Sequence, residues 1–145
     1  VVAVPGGGRS IAGSPDGGRR AASGEERAVR LVDVERGTIE RVLEGHAHQV
    51  DSVAWHPGGT RIATASRDRT VKLWDVDSGT QVGSLAHARR VSDLVWRKGG
   101  RVLVTLDAVG GVLLFDASRS LRRHGTPDEG RGSHPGWNAG GEGRR

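Results

Sequence analysis

Apolar and polar residues alternate in short runs along most of this chain. Residues 50–55 and 61–66 follow this alternation, and residues 71–76 are rich in side chains that suit a pleated, buried surface. A weaker run follows at residues 81–85, after an Asp-Ser-Gly turn. A Pro-Gly-Gly turn separates the first two runs, where proline fixes φ and glycine accepts a positive φ. The pattern predicts a meander of four antiparallel strands, and no helical spacing of apolar residues continues long enough to compete with it.

The same unit occurs three times along the chain. A shift of 42 residues places Pro15 on Pro57, and this register continues without a gap through residues 10–43. A shift of 41 residues places Trp55 on Trp96. A four-stranded meander of this size is too small to bury its own faces, so neighbouring units must cover one another. We therefore predict an all-β protein built from tandem sheets.

The repeats divide the chain into five segments. These are an N-terminal strand or the end of a preceding unit at residues 1–9, a degenerate first unit at 10–43, the best-formed unit at 44–85, a third unit without a clear fourth strand at 86–117, and a tail at 118–145. The tail is rich in Gly and Arg and almost free of apolar side chains. It cannot bury enough surface to offset its ordering entropy, so we expect it to be disordered.

The units resemble the WD repeats of β-propeller proteins. The resemblance rests on a Gly-His pair at Gly45 and His46, a Ser-Arg-Asp-Arg-Thr-Val turn, and a Trp-Asp pair at Trp74 and Asp75, and it extends over residues 10–117. It implies a partial β-propeller of about three four-stranded antiparallel blades. Because a closed propeller has about 4–8 blades, further blades or self-association would complete the ring. With no Met at its start, the chain is expected to be a fragment of a larger signalling or regulatory protein.

The resemblance also implies a structural hydrogen-bond network inside the middle unit. Its members there are His46, Thr64 or Ser66, Asp68 and Trp74. The carboxylate would accept from the imidazole, the imidazole would donate to the hydroxyl, and the hydroxyl would accept from the indole. Such links avoid a desolvation cost of about 1–3 kcal/mol for each buried polar group.

The other two units depart from this network. The equivalent positions hold Val4, Ala22, Glu26 and Val32 in the first unit, and His87, Thr105, Val109 and Phe115 in the third. The first unit therefore lacks the network, and the third keeps only its imidazole and hydroxyl. We expect the middle unit to be the most rigid of the three.

The composition and the spacing of the histidines limit the kinds of binding site that the chain can form. The chain has a net charge of +5 and no cysteine, which excludes disulfides and thiolate metal sites and fits a reducing, cytoplasmic compartment. No run approaches the roughly 18 apolar residues of a membrane span, so we expect no membrane contact. His46 and His48 are spaced for two imidazoles on one strand face, but no third ligand is evident, so we expect no metal. His56, beside a turn proline, is expected to face solvent.

No catalytic constellation is evident in the sequence. There is no Gly-x-Ser-x-Gly elbow, and the Gly-rich stretch at residues 5–9 lacks the Gly-Lys-Ser/Thr ending of a phosphate loop. We therefore expect no enzyme activity and no cofactor. The resemblance implies instead a scaffold that binds other proteins or peptides through its loops.

Four arginines are the candidate contact residues of such a scaffold. Arg67 and Arg69 lie in one predicted turn, and Arg89 and Arg90 lie in the loop that enters the third unit. Ordinary solubility charges are the simpler interpretation of all four. The alternative function is a nucleic-acid-associated module that uses the Arg/Gly-rich tail, although nucleic acid is the less favoured partner.

Overall fold

The computed structural model describes residues 7–24 and 26–117, together with the backbone of residues 137–139. The strands are β1 (Gly8–Gly13), β2 (Arg19–Gly24), β3 (Ala28–Asp33), β4 (Thr38–Glu44), β5 (Val50–Trp55), β6 (Arg61–Ser66), β7 (Thr70–Asp75), β8 (Gln81–Ala86), β9 (Val91–Arg97), β10 (Val102–Asp107), β11 (Val112–Asp116) and β12 (Trp137–Ala139). A single 3-10 turn at Lys98–Gly100 connects β9 to β10. No helix in this described part of the chain is long and apolar enough to cross a membrane.

The strands form three antiparallel sheets, each in chain order. The first sheet contains β1 to β4, the middle sheet contains β5 to β8, and the third sheet contains β9 to β11. This arrangement confirms the predicted all-β fold of tandem meanders. Within the described residues the third sheet has no fourth strand, so β11 forms its outer edge.

The middle sheet gains a fifth strand from the distant C-terminal segment. The backbone of β12 pairs antiparallel with β8, with Trp137 opposite Leu85. The structure thus differs from our prediction of disorder at these three residues, because the open edge of β8 offers N–H and C=O groups to any extended segment. The rest of the predicted disordered tail, and residues 1–6 of the predicted N-terminal strand, lie outside the described residues.

Two hydrophobic cores lie between the sheets. The first core joins the first and middle sheets and contains Ala21, Val29, Leu31, Leu43, Val50, Val53, Trp55, Ile62, Trp74 and Val76. The second core joins the other face of the middle sheet to the third sheet and contains Ala63, Ala65, Val71, Leu73, Leu85, Val91, Leu94, Trp96, Leu103, Phe115 and Ala117. The middle sheet is therefore covered on both faces. This explains why β6 is buried from Ile62 to Ser66 without a break.

Two indoles are held in these cores by backbone carbonyls. The Trp55 Nε1–H donates to the carbonyl oxygen of Gly59 at 3.0 Å. Gly59 has a φ of +88°, a conformation that costs glycine little and other residues much more. The Trp96 Nε1–H donates across the second core to the Ala54 carbonyl at 3.3 Å. This second bond ties the third sheet directly to the backbone of the middle sheet.

His56 also links the middle and third sheets, and our expectation that it faces solvent was wrong. Its Nδ1 accepts from the Gly58 N–H at 2.9 Å, and its Nε2 lies 3.1 Å from the Gly100 carbonyl oxygen. The ring packs edge-on against Trp96, with 4.7 Å between ring centroids. Burial lowers the pKa of His56 despite the opposing effect of the Gly100 carbonyl. The neutral ring then donates to Gly100 through its Nε2–H.

Candidate functional site

The middle sheet contains a buried chain of polar side chains that begins in the loop before β5. The His46 Nδ1 lies 2.8 Å from Asp68 Oδ2, and the His46 Nε2 lies 2.6 Å from Thr64 Oγ1. The Trp74 Nε1–H donates to the same Thr64 oxygen at 2.9 Å. The structure therefore brings together His46, Thr64, Asp68 and Trp74, four of the five residues that the sequence placed in the network.

The direction of one bond follows from proton counting. A carboxylate only accepts, so the Nδ1 of His46 carries the proton that faces Asp68. In the neutral imidazole the Nε2 is then an acceptor, and the Thr64 hydroxyl donates to it. We had expected the imidazole to donate to the hydroxyl. The chain Trp74 to Thr64 to His46 to Asp68 satisfies each buried donor once.

Asp68 is the charged end of this chain. Burial alone would raise its pKa, but hydrogen bonds from His46, from the Thr70 hydroxyl at 2.6 Å and from the Ala47 N–H at 2.9 Å hold the pKa far below its usual range. Asp68 also accepts from the Thr70 N–H at 2.9 Å. The carboxylate thus fixes both the imidazole and the β6–β7 turn.

Ser66, the fifth predicted member, stands apart from the His-Thr-Trp chain. Its Oγ donates to the Gln49 carbonyl at 2.8 Å and accepts from the Asp68 N–H at 3.0 Å. It therefore ties the β6–β7 turn to the loop before β5. Sequence reasoning missed Thr70, although an Asp two residues before a Thr is a signal for this kind of turn.

The first and third sheets lack the complete hydrogen-bond network. In the first sheet Glu26 forms an ion pair with Arg30, at 3.0 Å between Oε1 and Nη2. In the third sheet the His87 Nε2 lies 3.0 Å from Thr105 Oγ1, while its buried Nδ1 has no hydrogen-bond partner of good geometry within the described residues. Burial lowers the pKa of His87, and the Leu85 carbonyl only partly opposes this. A neutral ring packed against Phe115, at 5.7 Å between centroids, is what remains of the network.

The geometry argues against a metal site at the histidine pair. Both ring nitrogens of His46 are already engaged, and the Nδ1 of the exposed His48 accepts from the Gln49 N–H at 2.8 Å. Among the residues that the structure describes, no group of three or more His, Asp or Glu side chains could hold a metal ion.

A depression borders this network at His46. It has a volume of about 570 Å³ and is lined by Glu26, Arg27, Ala28, Arg30, Val42, Glu44, Gly45 and His46. Its charges are of both signs. His46, one of the lining residues, has both ring nitrogens occupied by Asp68 and Thr64. This imidazole therefore has no free nitrogen to act as a nucleophile or base in the depression.

The four predicted contact arginines lie at one end of the sheets, which we call the basic end. Arg67 pairs with Asp51, at 3.2 Å between Nε and Oδ2, and Arg89 lies 3.8 Å from Asp107. Arg69 and Arg90 are exposed and form no ion pair with any described residue. The sequence did not show that two of these side chains are neutralised by acidic neighbours.

Backbone hydrogen bonds join the loops of the basic end to one another. The Arg67 N–H donates to the Gln49 carbonyl at 3.0 Å, the His87 N–H to the Arg69 carbonyl at 2.8 Å, and the Ala108 N–H to the Arg90 carbonyl at 3.0 Å. These three bonds link the loop before β5, the β6–β7 turn, the β8–β9 loop and the β10–β11 turn. The basic end is therefore a continuous surface that spans the middle and third sheets.

Comparison with known proteins identifies the central part of the chain. Residues 37–75 match the family model described as WD domain, G-beta repeat. The matched span runs from the turn before β4 to the end of β7. It includes all the residues of the hydrogen-bond network, from His46 to Trp74. No curated protein matches the sequence.

Proposed function

We propose that this chain, whose residues 37–75 are a WD repeat, is a non-catalytic scaffold that binds other proteins through the loops of its basic end. We place it within a larger signalling or regulatory protein. The observation that carries the proposal is the set of backbone bonds that joins these loops into one surface across two sheets. Loops that are held by a rigid framework are the usual place for binding residues.

The charge of the basic end favours an acidic partner. Arg69 and Arg90 are exposed and unpaired among the described residues, so they keep their full charge for a ligand. Arg67 and Arg89 are already partly neutralised by Asp51 and Asp107. An extended peptide with several Glu or Asp residues is the chemistry that complements this surface, with an affinity that falls as salt is added.

The test uses a fluorescein-labelled peptide of alternating Glu and Gly, with a Gln-Gly peptide as the neutral probe. We expect the full chain to bind the acidic probe, and the double variant Arg69→Glu/Arg90→Glu to weaken that binding about tenfold or more, as measured by fluorescence polarisation. The matched control is Arg36→Glu/Arg101→Glu, which reverses two exposed charges at the opposite end of the sheets. Equal losses in both double variants would reduce the effect to net charge and overturn the proposal.

The alternative partner is a single-stranded nucleic acid bound by the tail. Residues 118–145 contain six arginines, two of them at the C-terminus, and a tryptophan that could stack on a base. Salt-dependent binding of labelled oligothymidine that disappears when these residues are deleted would favour it. Retained binding of the acidic peptide by the deleted chain would separate the two functions.

We also propose that the outer faces of this array are covered in the working protein, either by further sheets or by another copy of the chain. A small stack of sheets exposes apolar surface to water at its edges and on its two outer faces, and this exposure favours such covering.

A further inference from the structure

The two outer faces of the array differ from the faces at the inner junctions in the size of their side chains, which are larger on one outer face and smaller on the other. We call the face that each sheet turns toward the next sheet its forward face, and the opposite one its backward face. At the inner junctions a forward face of one sheet meets the backward face of the next. The repeat register gives every position on the outer faces an equivalent at these junctions.

At the inner junctions small side chains on the forward face receive aromatic side chains from the backward face. The middle sheet presents Ala54, Ala63 and Ala65, and the third sheet presents Trp96 and Phe115. The bond from the Trp96 indole to the Ala54 carbonyl shows that these two positions meet directly.

The first junction repeats the arrangement at the equivalent positions. The first sheet presents Ala12, Ala21 and Ser23, and the middle sheet presents Trp55 and Trp74. Small forward faces and aromatic backward faces are therefore a property of both junctions.

The outer forward face, on the third sheet, has gained volume. Val95, Val104 and Leu106 occupy the positions of the three small residues. Together with Val112 and Leu114 they form a continuous apolar surface, on which Leu114 is 68% exposed. Three branched side chains in place of alanine leave no space for an indole of the kind that Trp96 inserts at the inner junction.

The outer backward face, on the first sheet, has lost volume. Gly13 stands where the other sheets have Trp55 and Trp96, and Val32 stands where they have Trp74 and Phe115. Ala22 replaces the buried threonines of the network. This face still carries exposed apolar side chains, and Ile11 is 67% exposed.

We propose that the forward face of the third sheet binds the backward face of the first sheet in a second copy of this chain. The volume gained on one face matches the volume lost on the other, so the pair restores the close packing of the inner junctions. In this arrangement Val95 of one copy meets Gly13 of the other, at the positions that Ala54 and Trp96 occupy inside the chain.

The contact is head-to-tail, because it joins two different surfaces. Two copies that closed on each other would give a ring of six sheets, within the range of about 4–8 known for such rings. If the rotation does not close, the same contact produces a chain of copies.

Two arginines on this face must be accommodated, Arg30 opposite Ala22 and Arg20 opposite Val32. The Arg30 guanidinium is paired with Glu26 at 3.0 Å. The Arg20 guanidinium donates to the Arg19 carbonyl at 3.1 Å and lies over Gly13, with Nη1 2.8 Å from the place of a glycine β-carbon. The group is the end of a long side chain, so it can swing toward solvent while its methylene stem packs against the valines of the second copy.

The inference deepens one part of the proposed function, the covering of the outer faces. It concerns the faces of the sheets, whereas peptide binding concerns their basic end. Sedimentation reports the first and fluorescence polarisation the second, so a failure of either proposal is seen separately.

Sedimentation velocity of the full chain tests the contact. We expect the wild type to form assemblies of two or more copies, and Leu114→Asp and Ile11→Asp each to weaken association about tenfold or more. Val109→Asp is the matched control, since Val109 is also 68% exposed but lies in the β10–β11 turn, away from both faces. Circular dichroism confirms that each variant is folded. A monomeric wild type, or an equal effect of the control, would contradict the proposal.

Mixing the two variants distinguishes a head-to-tail contact from a symmetric one. Each variant alone lacks one of the two required surfaces and should be monomeric at a concentration where the wild type associates but a tenfold weaker contact does not form. A mixture should form a one-to-one dimer through the intact forward face of Ile11→Asp and the intact backward face of Leu114→Asp. If either variant associates with itself, the contact joins like faces and the proposal fails.

A volume exchange tests the packing argument itself. Gly13→Trp restores the indole of the repeat and should abolish association by colliding with Val95. Adding Val95→Ala to the same chain restores the small partner and should recover association. Loss without recovery would show that volume at these two positions does not determine the contact.

Discussion

At the scale of single residues, Thr64 is the centre of the polar network, because one hydroxyl serves two buried partners. Thr64→Val keeps the shape but leaves the His46 Nε2 and the Trp74 Nε1–H without partners. Each such group costs about 1–3 kcal/mol, so we expect the free energy of unfolding to fall by about 2–5 kcal/mol in urea denaturation.

The matched control is Thr105→Val in the third sheet. Thr105 is equally buried but has His87 alone as its network partner, since Phe115 offers no donor. We expect a loss of about 1–3 kcal/mol there. Equal losses at the two positions would show that the bond from Trp74 contributes nothing to stability.

The titratable side chains predict a two-stage loss of stability in acid. The folded pKa values of His56 and His87 lie below the unfolded value of 6.5, so the unfolded chain binds more protons and stability falls as the pH drops below about 6.5. The folded pKa of Asp68 lies below 3.8, so its contribution is present above that pH and is lost below it.

Thermal unfolding from pH 8 to pH 2 measures both stages. The double variant His56→Gln/His87→Gln should lose the upper stage and keep the lower one. Asp68→Asn should leave the upper stage unchanged and should weaken the lower stage without abolishing it. The remainder is expected because the pKa values of Asp75 and Asp107 are lowered as well. An upper stage that persists in the double variant would rule out these two histidines as its cause.

The network residues could be predicted from the sequence because the middle unit resembles a WD repeat, and that resemblance implies these residue types at these places. The choice of Thr64 over Ser66 could not, since both side chains point to the same side of β6. A register shift between Val50 and Ser52 places the end of β6 against the preceding loop, and Ser66 bonds to that loop instead. The same shift recurs at the equivalent place in the first and third sheets, but the alternation of apolar and polar residues does not mark it.

At the scale of sheets, the complete network predicts unequal protection. The middle sheet is covered on both faces and linked internally from Trp74 to Asp68, whereas each neighbour is covered on one face. We expect amide hydrogen exchange to be slowest in β6 and β7, and faster in β2, β3 and β10. Equal protection across the three sheets, measured by mass spectrometry, would contradict this expectation.

Pairing within each meander was predictable from the sequence, but contacts between distant segments were not. Alternation and turn residues mark β5 to β8 because consecutive strands pair through short turns. The β12 strand has only three residues and no alternation, so only the open edge of β8 reveals it. His56 was misplaced for a similar reason, since its partner Gly100 belongs to another sheet.

At the scale of the whole molecule, the two cores share the middle sheet but no side chain. Leu31 is fully buried in the first core, and Leu73 is 1% exposed in the second. We expect Leu31→Ala and Leu73→Ala each to lower the free energy of unfolding by about 2–5 kcal/mol. The two side chains lie in different cores, on opposite sides of the middle sheet. The loss of unfolding free energy in the double variant should therefore equal the sum of the two single losses to within about 0.5 kcal/mol.

Urea denaturation of the two single variants and the double variant measures this additivity. One cooperative transition in all of them would show that the sheets unfold as a unit. A double variant that unfolds in two steps, or that loses much less than the sum, would show that the cores behave as separate folding units.

The bulky forward face of the third sheet also sets a rule for anyone who wishes to lengthen this protein. Repeat arrays are usually extended by fusing copies of their best unit, and residues 44–85 would be the natural choice. In such a fusion, Trp55 of the added unit would collide with Val95, Val104 and Leu106. Small residues stand at the equivalent positions of the inner junctions. Those three side chains would first have to become alanines. With these three residues in place, the middle unit is a poor choice for extending the array.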